Sequence, residues 1–148
     1  MLKLKINGGD WVVVCDGRKA VILQNAGDRQ FPNLRMLETR EHPDLSTREL
    51  GTDRPGRMQP SVGTARSGVQ QTHWHDEAEK AFLHGLASHL DSALQAGRTK
   101  HLFVVAPPRA LGMLRQVYTH RIREALQGEV DKDLVHEPIY DIEKRLFS

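Results

Sequence analysis

Apolar and polar positions along the chain change period several times, and each change marks an element. "WVVVCD" (Trp11 to Asp16) is short, β-branched and apolar, which predicts a strand. Asp16-Gly17 is a turn signal, and "KAVILQ" (Lys19 to Gln24) predicts a second strand, so the two form a hairpin. "NAGDRQFPN" carries turn chemistry. In "LRMLETREH", Leu34, Met36 and Glu38 alternate imperfectly with Arg35, Leu37 and Thr39, the pattern of an edge strand with one wet face. From Pro43 to Gln71 no period survives among three prolines and four glycines (Gly51, Gly56, Gly63 and Gly68). A loop this long in a compact domain is functional or disordered.

A helical period then runs from about Thr72 to Ala96, through Ala78, Phe82, Leu86, Leu90, Ala93 and Leu94. Thr72 or His73 is the expected cap, and Gly97 the expected stop. "HLFVVA" (His101 to Ala106) is continuously apolar, as in a central strand covered on both faces, and Pro107-Pro108 breaks it. "RALGMLRQVYTHRIREAL" repeats the helical stripe through Leu111, Leu114, Tyr118, Ile122 and Ala125, ending before Gly128. A short strand near Glu129 to Val135 and a helix from Ile139 to Leu146 complete the order.

This order predicts one α/β domain over residues 1–148 with a long Gly/Arg-rich loop at about 43–71. Its mixed five-stranded sheet joins a three-stranded antiparallel meander to two parallel strands, with helices packed on it. Right-handed crossovers through the helices would set the late strands parallel to the first. There is no internal repeat.

Composition narrows the functional classes. A hydrophobic content of 39% with 27% charged residues is that of a globular domain. No apolar run is long enough to span a bilayer, and "MLKLKINGGDW" lacks the apolar region of a signal peptide. The single cysteine, Cys15, cannot form an internal disulfide. These features point to the cytoplasm and away from a membrane. A net charge of +2 does not by itself indicate nucleic acid, so the placement of charge must carry that question.

The stretch "SGVQQTHWHDEAEKAF" (Ser67 to Phe82) concentrates the candidate chemistry. His73 and His75 stand roughly 200° apart on a helix, so they could chelate together only with the first still in a loop. His75 and Glu79 share a face, but neither an HExxH pattern nor a cysteine pair is present. The plainer reading is helix-start chemistry, with Asp76, Glu77 and Glu79 in the first turns and Asp76 able to pair with Lys80. We therefore assign no metal and no cofactor. Between Gly51 and Gln71, Arg54, Arg57 and Arg66 face a single acidic residue, Asp53. Arginine forks on a glycine-rich backbone suit phosphate, and Gln70, Gln71 and His73 add polar groups beside them. A solvated loop whose arginines only maintain solubility is the competing reading.

Ser61, Ser67 and Cys15 are the available nucleophiles, with His73 or His75 as base, but no nucleophile-elbow pattern accompanies them. Cys15 falls in an apolar strand, where an inert thiol is the usual case. Asp16 follows the first strand, where some ribonuclease H-like nucleases carry a metal-binding carboxylate; a hairpin turn accounts for it better. "APPRALG" lies at the carboxyl end of the central strand, where open α/β sheets often bind ligands, and it also reads as a stiff connection.

Taken in order, "WVVVCDGRKAVILQNAGD", "FPNLRMLE", "STRELGTDRPGRMQPSVGTARSGVQQTHWHDEAEKAF", "LFVVAPPRALGMLR" and "EVDKDLVHEPIYDIEKRL" resemble the bacterial host attachment protein family, described as required for attachment to host cells. That family looks like the middle domain of archaeal and eukaryotic class-I peptide release factors, a ribonuclease H-like arrangement. Gly68-Val69-Gln70 sits where the release factors' Gly-Gly-Gln tripeptide would fall. There the glutamine helps position the water that hydrolyses peptidyl-tRNA, and the glycines permit close backbone approach. Val69 replaces the second glycine, and a β-branched residue is stiff and disfavours positive φ. The resemblance thus implies a release-factor-like domain acting in translation quality control or stress, with ribosome or tRNA as partner. Any catalysis would be peptidyl-tRNA ester hydrolysis on Gln70. An adhesion or interaction protein without a nucleic-acid role is the alternative, and a metal-dependent hydrolase using His73, His75 and Glu79 the third.

Overall fold

The computed structural model describes residues 4–42 and 68–147, with the side chains of the second stretch described from His75 onward. The elements are β1 (Trp11–Cys15), β2 (Lys19–Asn25), β3 (Leu34–Glu41), α1 (Gly68–Gln95), β4 (Leu102–Ala106), α2 (Pro108–Val117), α3 (His120–Ala125), β5 (Leu126–Asp131) and α4 (Ile139–Phe147). The strands form a mixed five-stranded sheet in the order β3-β2-β1-β4-β5. β1–β2 and β2–β3 pair antiparallel, and β1–β4 and β4–β5 pair parallel. This is the meander plus two parallel strands that the element order predicts.

Both faces of the sheet are covered, so β1 and β4 are buried at every position. Alternate residues divide between two cores. Trp11, Val13, Cys15, Ile22 and Val104 meet Leu83, Leu86 and Leu90 of α1 and Leu111 and Leu114 of α2. Val12, Val14, Leu23, Phe103 and Val105 meet Ile142 and Leu146 of α4 on the other side. Full burial of each such side chain contributes about 1.5–3 kcal/mol.

Besides β5, which runs Leu126–Asp131 and not from Glu129 to Val135, the structure differs from the periodicity at three places. Helix α1 begins at Gly68, ahead of the Thr72/His73 cap expected from sequence, so Asp76, Glu77 and Glu79 fall beyond its first turn. The stripe after β4 is two helices, not one. Tyr118 and Thr119 are extended, and the Thr119 hydroxyl caps α3 by accepting from the Ile122 N–H. The stripe continues because Tyr118 and Ile122 both remain in the core. Third, the register between β2 and β3 shifts after Ile22, which pairs with Glu38 while Leu23 pairs with Met36. Leu37 is the extra residue of this bulge, which explains the imperfect alternation.

The C-terminal stop of α1 is as expected. Gly97 has φ 77°, and the N–H groups of Gly97 and Arg98 donate to the carbonyls of Leu94 and Ala93.

Candidate functional site

Topology brings the sequence candidates to one end of the sheet. β1, β3, β4 and β5 all run the same way, so Cys15, Glu41, Ala106 and Asp131 end on one edge, here the upper edge. The chain leaves the described part of this edge at His42 and returns with α1, which runs back toward the lower edge before β4. After β1 the chain turns to β2 on one side, and after β4 it crosses to β5 on the other. The gap between β1 and β4 is therefore the switch point, where open α/β sheets bind ligands beyond the strand ends.

A cleft of about 210 Å³ occupies that position, lined by Asp16, Gly17, Arg18, Glu79, Pro107 and Arg109. Asp16 Oδ1 accepts from the N–H groups of Arg18 (2.8 Å) and Lys19 (2.9 Å), which makes the tight turn between β1 and β2. Its Oδ2 lies 3.6 Å from His136 Nε2. Gly17 lets α1 approach: a Cβ there would stand 2.8 Å from Glu79 Cγ and Cδ. Pro107 precedes α2 in an extended conformation and Pro108 opens the helix, so the stiff connection aims Arg109 at α1.

Arg109 joins the two helices. Its guanidinium donates to Asp76 and, at 3.1 Å, to Glu79 Oε1. These hydrogen bonds, Asp76 first, with the charges of both carboxylates, hold Arg109 still more firmly protonated than usual. Asp76 and Glu79 thus act in an interhelical clamp, not in the helix-start role read from sequence. Arg18 is exposed and has no side-chain partner among the described residues. The edge offers cationic donors to an anionic ligand beside a fixed pair of carboxylates.

Helix α1 is longer than the sheet is tall. Among the described residues its contacts with the upper edge include Asp76 and Glu79. The preceding turns back to Gly68 add roughly 12 Å of helix ahead of this clamp, here called the overhang. Gln70, Gln71 and His73 are on this overhang, and Gly68-Val69-Gln70 is its first turn and not the end of a loop. Arg54, Arg57 and Arg66, with Ser61 and Ser67, lie outside the described residues, as do the side chains of Gln70, Gln71 and His73. Among the described residues no three His, Cys, Asp or Glu side chains are grouped to hold a metal ion. Cys15 is buried, which together with the Asp16 charge pushes its thiol up to about 12. No helix among the described residues is long and apolar enough to cross a membrane.

Two features were not read from sequence. "APPRALG" drew attention to the strand end but not to Arg109, whose partners stand 30 and 33 residues earlier. The lower edge carries a second cleft, where Asp10 meets His101 across 91 residues.

Over 76 residues the chain is 29% identical to Uncharacterized protein RP470 of Rickettsia prowazekii (strain Madrid E). The aligned stretch is 50% of this chain and 48% of that protein, so the chain matches about half of the relative's length. The description of the Bacterial archaeo-eukaryotic release factor family 12 matches residues 10–146, nearly everything from the start of β1 to the end of α4, and the chain belongs to that family.

Proposed function

We propose that this release-factor-like domain acts in translation as a cytoplasmic RNA- or ribosome-contacting factor. Its contact surface would be the overhang of α1 together with the Arg-rich segment that precedes it. The observation that carries this reading is the helix that α1 adds ahead of its clamp at the switch-point edge, where Arg18 and Arg109 lie. Arg54, Arg57 and Arg66 would meet phosphates of tRNA or ribosomal RNA, with Gln70, Gln71 and His73 beside them. If the domain is hydrolytic, the reaction is cleavage of the peptidyl-tRNA ester with Gln70 positioning the water. Val69 stiffens the tripeptide, so the first turn of α1 would open when Gln70 is offered to the ester.

The test is co-sedimentation of the tagged chain with ribosomes at low and high salt, beside an Arg54/Arg57/Arg66→Ala variant. We expect the wild type to travel with ribosomes at low salt and dissociate steeply as salt rises, since phosphate contacts release counterions. The variant stays at the top of the gradient. Wild type and variant both remaining at the top would sink the ribosome reading. Hydrolysis is then assayed on peptidyl-tRNA with Gln70→Ala, which loses turnover but keeps ribosome binding if Gln70 positions water.

A further inference from the structure

We propose that the lower edge of the sheet holds a phosphate-binding cleft, separate from the upper edge and resting on none of the argument made there. The cleft has a volume of about 360 Å³ and is lined by the turn before β1 and the connection from α1 to β4, including Gly9, Asp10, Thr99, Lys100 and His101. That volume falls within the range of small-ligand sites.

Its walls are fixed from beneath. Asp10 is buried, with its side chain 7% exposed. One carboxylate oxygen accepts the Asn7 N–H at 3.0 Å, and the other meets His101 Nδ1 at 3.2 Å. A carboxylate only accepts, so the proton of this bond sits on Nδ1, and Nε2 is left as the ring's other polar atom. The Thr99 hydroxyl ties the two walls together through the Gly9 carbonyl at 3.0 Å. Gly9 and Gly97 take left-handed φ values of 89° and 77°, and a Cβ at either would meet only open space. Here glycine serves backbone conformation and leaves the cleft mouth uncovered.

The free charge of the cleft is positive. The Arg98 guanidinium lies over the Trp11 ring at 4.9 Å and reaches Glu38 at 3.4 Å, which holds it in place at the cleft. Lys100 is exposed and has no partner among the described residues. The local carboxylates are already engaged, Asp10 by Asn7 and His101, Glu38 by His89 and Arg98. A held guanidinium and a free ammonium, both on the connection from α1 to β4, line one concave surface, with Nε2 of the His101 ring beside them as an acceptor for a phosphate hydroxyl. Such a donor set fits a tetrahedral anion. Phosphate is the chemistry recognised, whether carried by a small ligand or by an RNA backbone.

The test follows backbone amides of the full chain by NMR during titration with inorganic phosphate and, separately, with a short oligouridylate. Wild type, Lys100→Ala, His101→Gln and the upper-edge variant Arg18→Ala are compared. We expect both probes to shift the amides of Gly9, Thr99 and His101, Lys100→Ala to weaken phosphate binding about fivefold or more, and Arg18→Ala to leave it unchanged. Tighter, salt-steep binding of the oligonucleotide assigns the site to an RNA backbone; similar affinity for both probes assigns it to a small phosphate ligand. Either result supports the cleft. Absence of shifts with both probes, or affinities unchanged in both Lys100→Ala and His101→Gln, overturns it. Because the variants and reporting amides lie at the lower edge, failure here is distinct from failure of ribosome binding at the upper one.

Discussion

At the residue scale, Asn25 organises the lower edge. It is 1% exposed and uses its whole amide. Its Nδ2 donates to the carbonyls of Ile6, Asn7 and Asp28 at 3.0 to 3.3 Å. Its Oδ1 accepts from the N–H groups of Gly27 and Asn33, both at 2.9 Å. One side chain thereby joins the segment before β1 to the β2–β3 turn. The turn is closed so tightly that a Cβ on Gly27 would collide with the Phe31 carbonyl oxygen. Asn25→Ala strands several backbone groups at once, and each group left unsatisfied in a buried setting costs about 1–3 kcal/mol. We expect a loss of about 3 kcal/mol, read as a fall in melting temperature of about 9 °C. A fall below about 3 °C would mean that water replaces the amide and that the turn is not held by it.

At the scale of elements, the join between α2 and β5 shows what periodicity could and could not reveal. Leu111, Leu114, Tyr118 and Ile122 keep a helical step in sequence, and that step located the buried face correctly. It could not show that the backbone breaks at Tyr118-Thr119, because the break is set by partners distant in sequence. The Tyr118 hydroxyl donates to Glu129 at 2.8 Å, and the Thr119 hydroxyl donates to Asp91 at 2.6 Å. Both partners become visible only once the helices are packed. Glu129 also accepts from Arg115 Nε and Nη2 at 2.9 and 2.6 Å. Burial alone would raise its pKa, but the hydrogen bonds from Arg115 and Tyr118 and the Arg115 charge bring the net value below the ordinary 4.5. A depressed carboxylate contributes stability that is complete above its unfolded value and is lost as pH falls toward the folded one. Glu129→Gln should therefore melt below wild type at neutral pH by about 1 kcal/mol, and the gap should narrow below about pH 4.5. Parallel thermal melts from neutral pH to about pH 3.5 decide this, and a gap that stays constant would remove the carboxylate charge from the account.

At the scale of the whole molecule, strand type and order were readable because β-branched runs and turn residues coincide in "WVVVCDGRKAVILQ". The shared direction of the late strands and the first was readable from the crossover rule, but the position of the switch point was not, since it depends on which strands pair with β1. The role of Gly17 belongs to this level. In sequence it is half of a turn signal; in the fold it is the point where α1 crosses the sheet edge, against Glu79. Gly17→Ala would push the Glu79 side chain aside and loosen its bond to Arg109, which is exposed and contributes little to stability. The strands and both cores are untouched, so the expected fall in melting temperature is only about 3 °C. The α1 overhang, however, follows directly on the clamp that Arg109 makes with Asp76 and Glu79. If that overhang carries the ribosome contact, Gly17→Ala should reduce co-sedimentation far more than it reduces stability, and Arg109→Ala should do the same. Full ribosome binding by both variants would show that the contact does not require the clamp, and would move the functional surface away from the switch point.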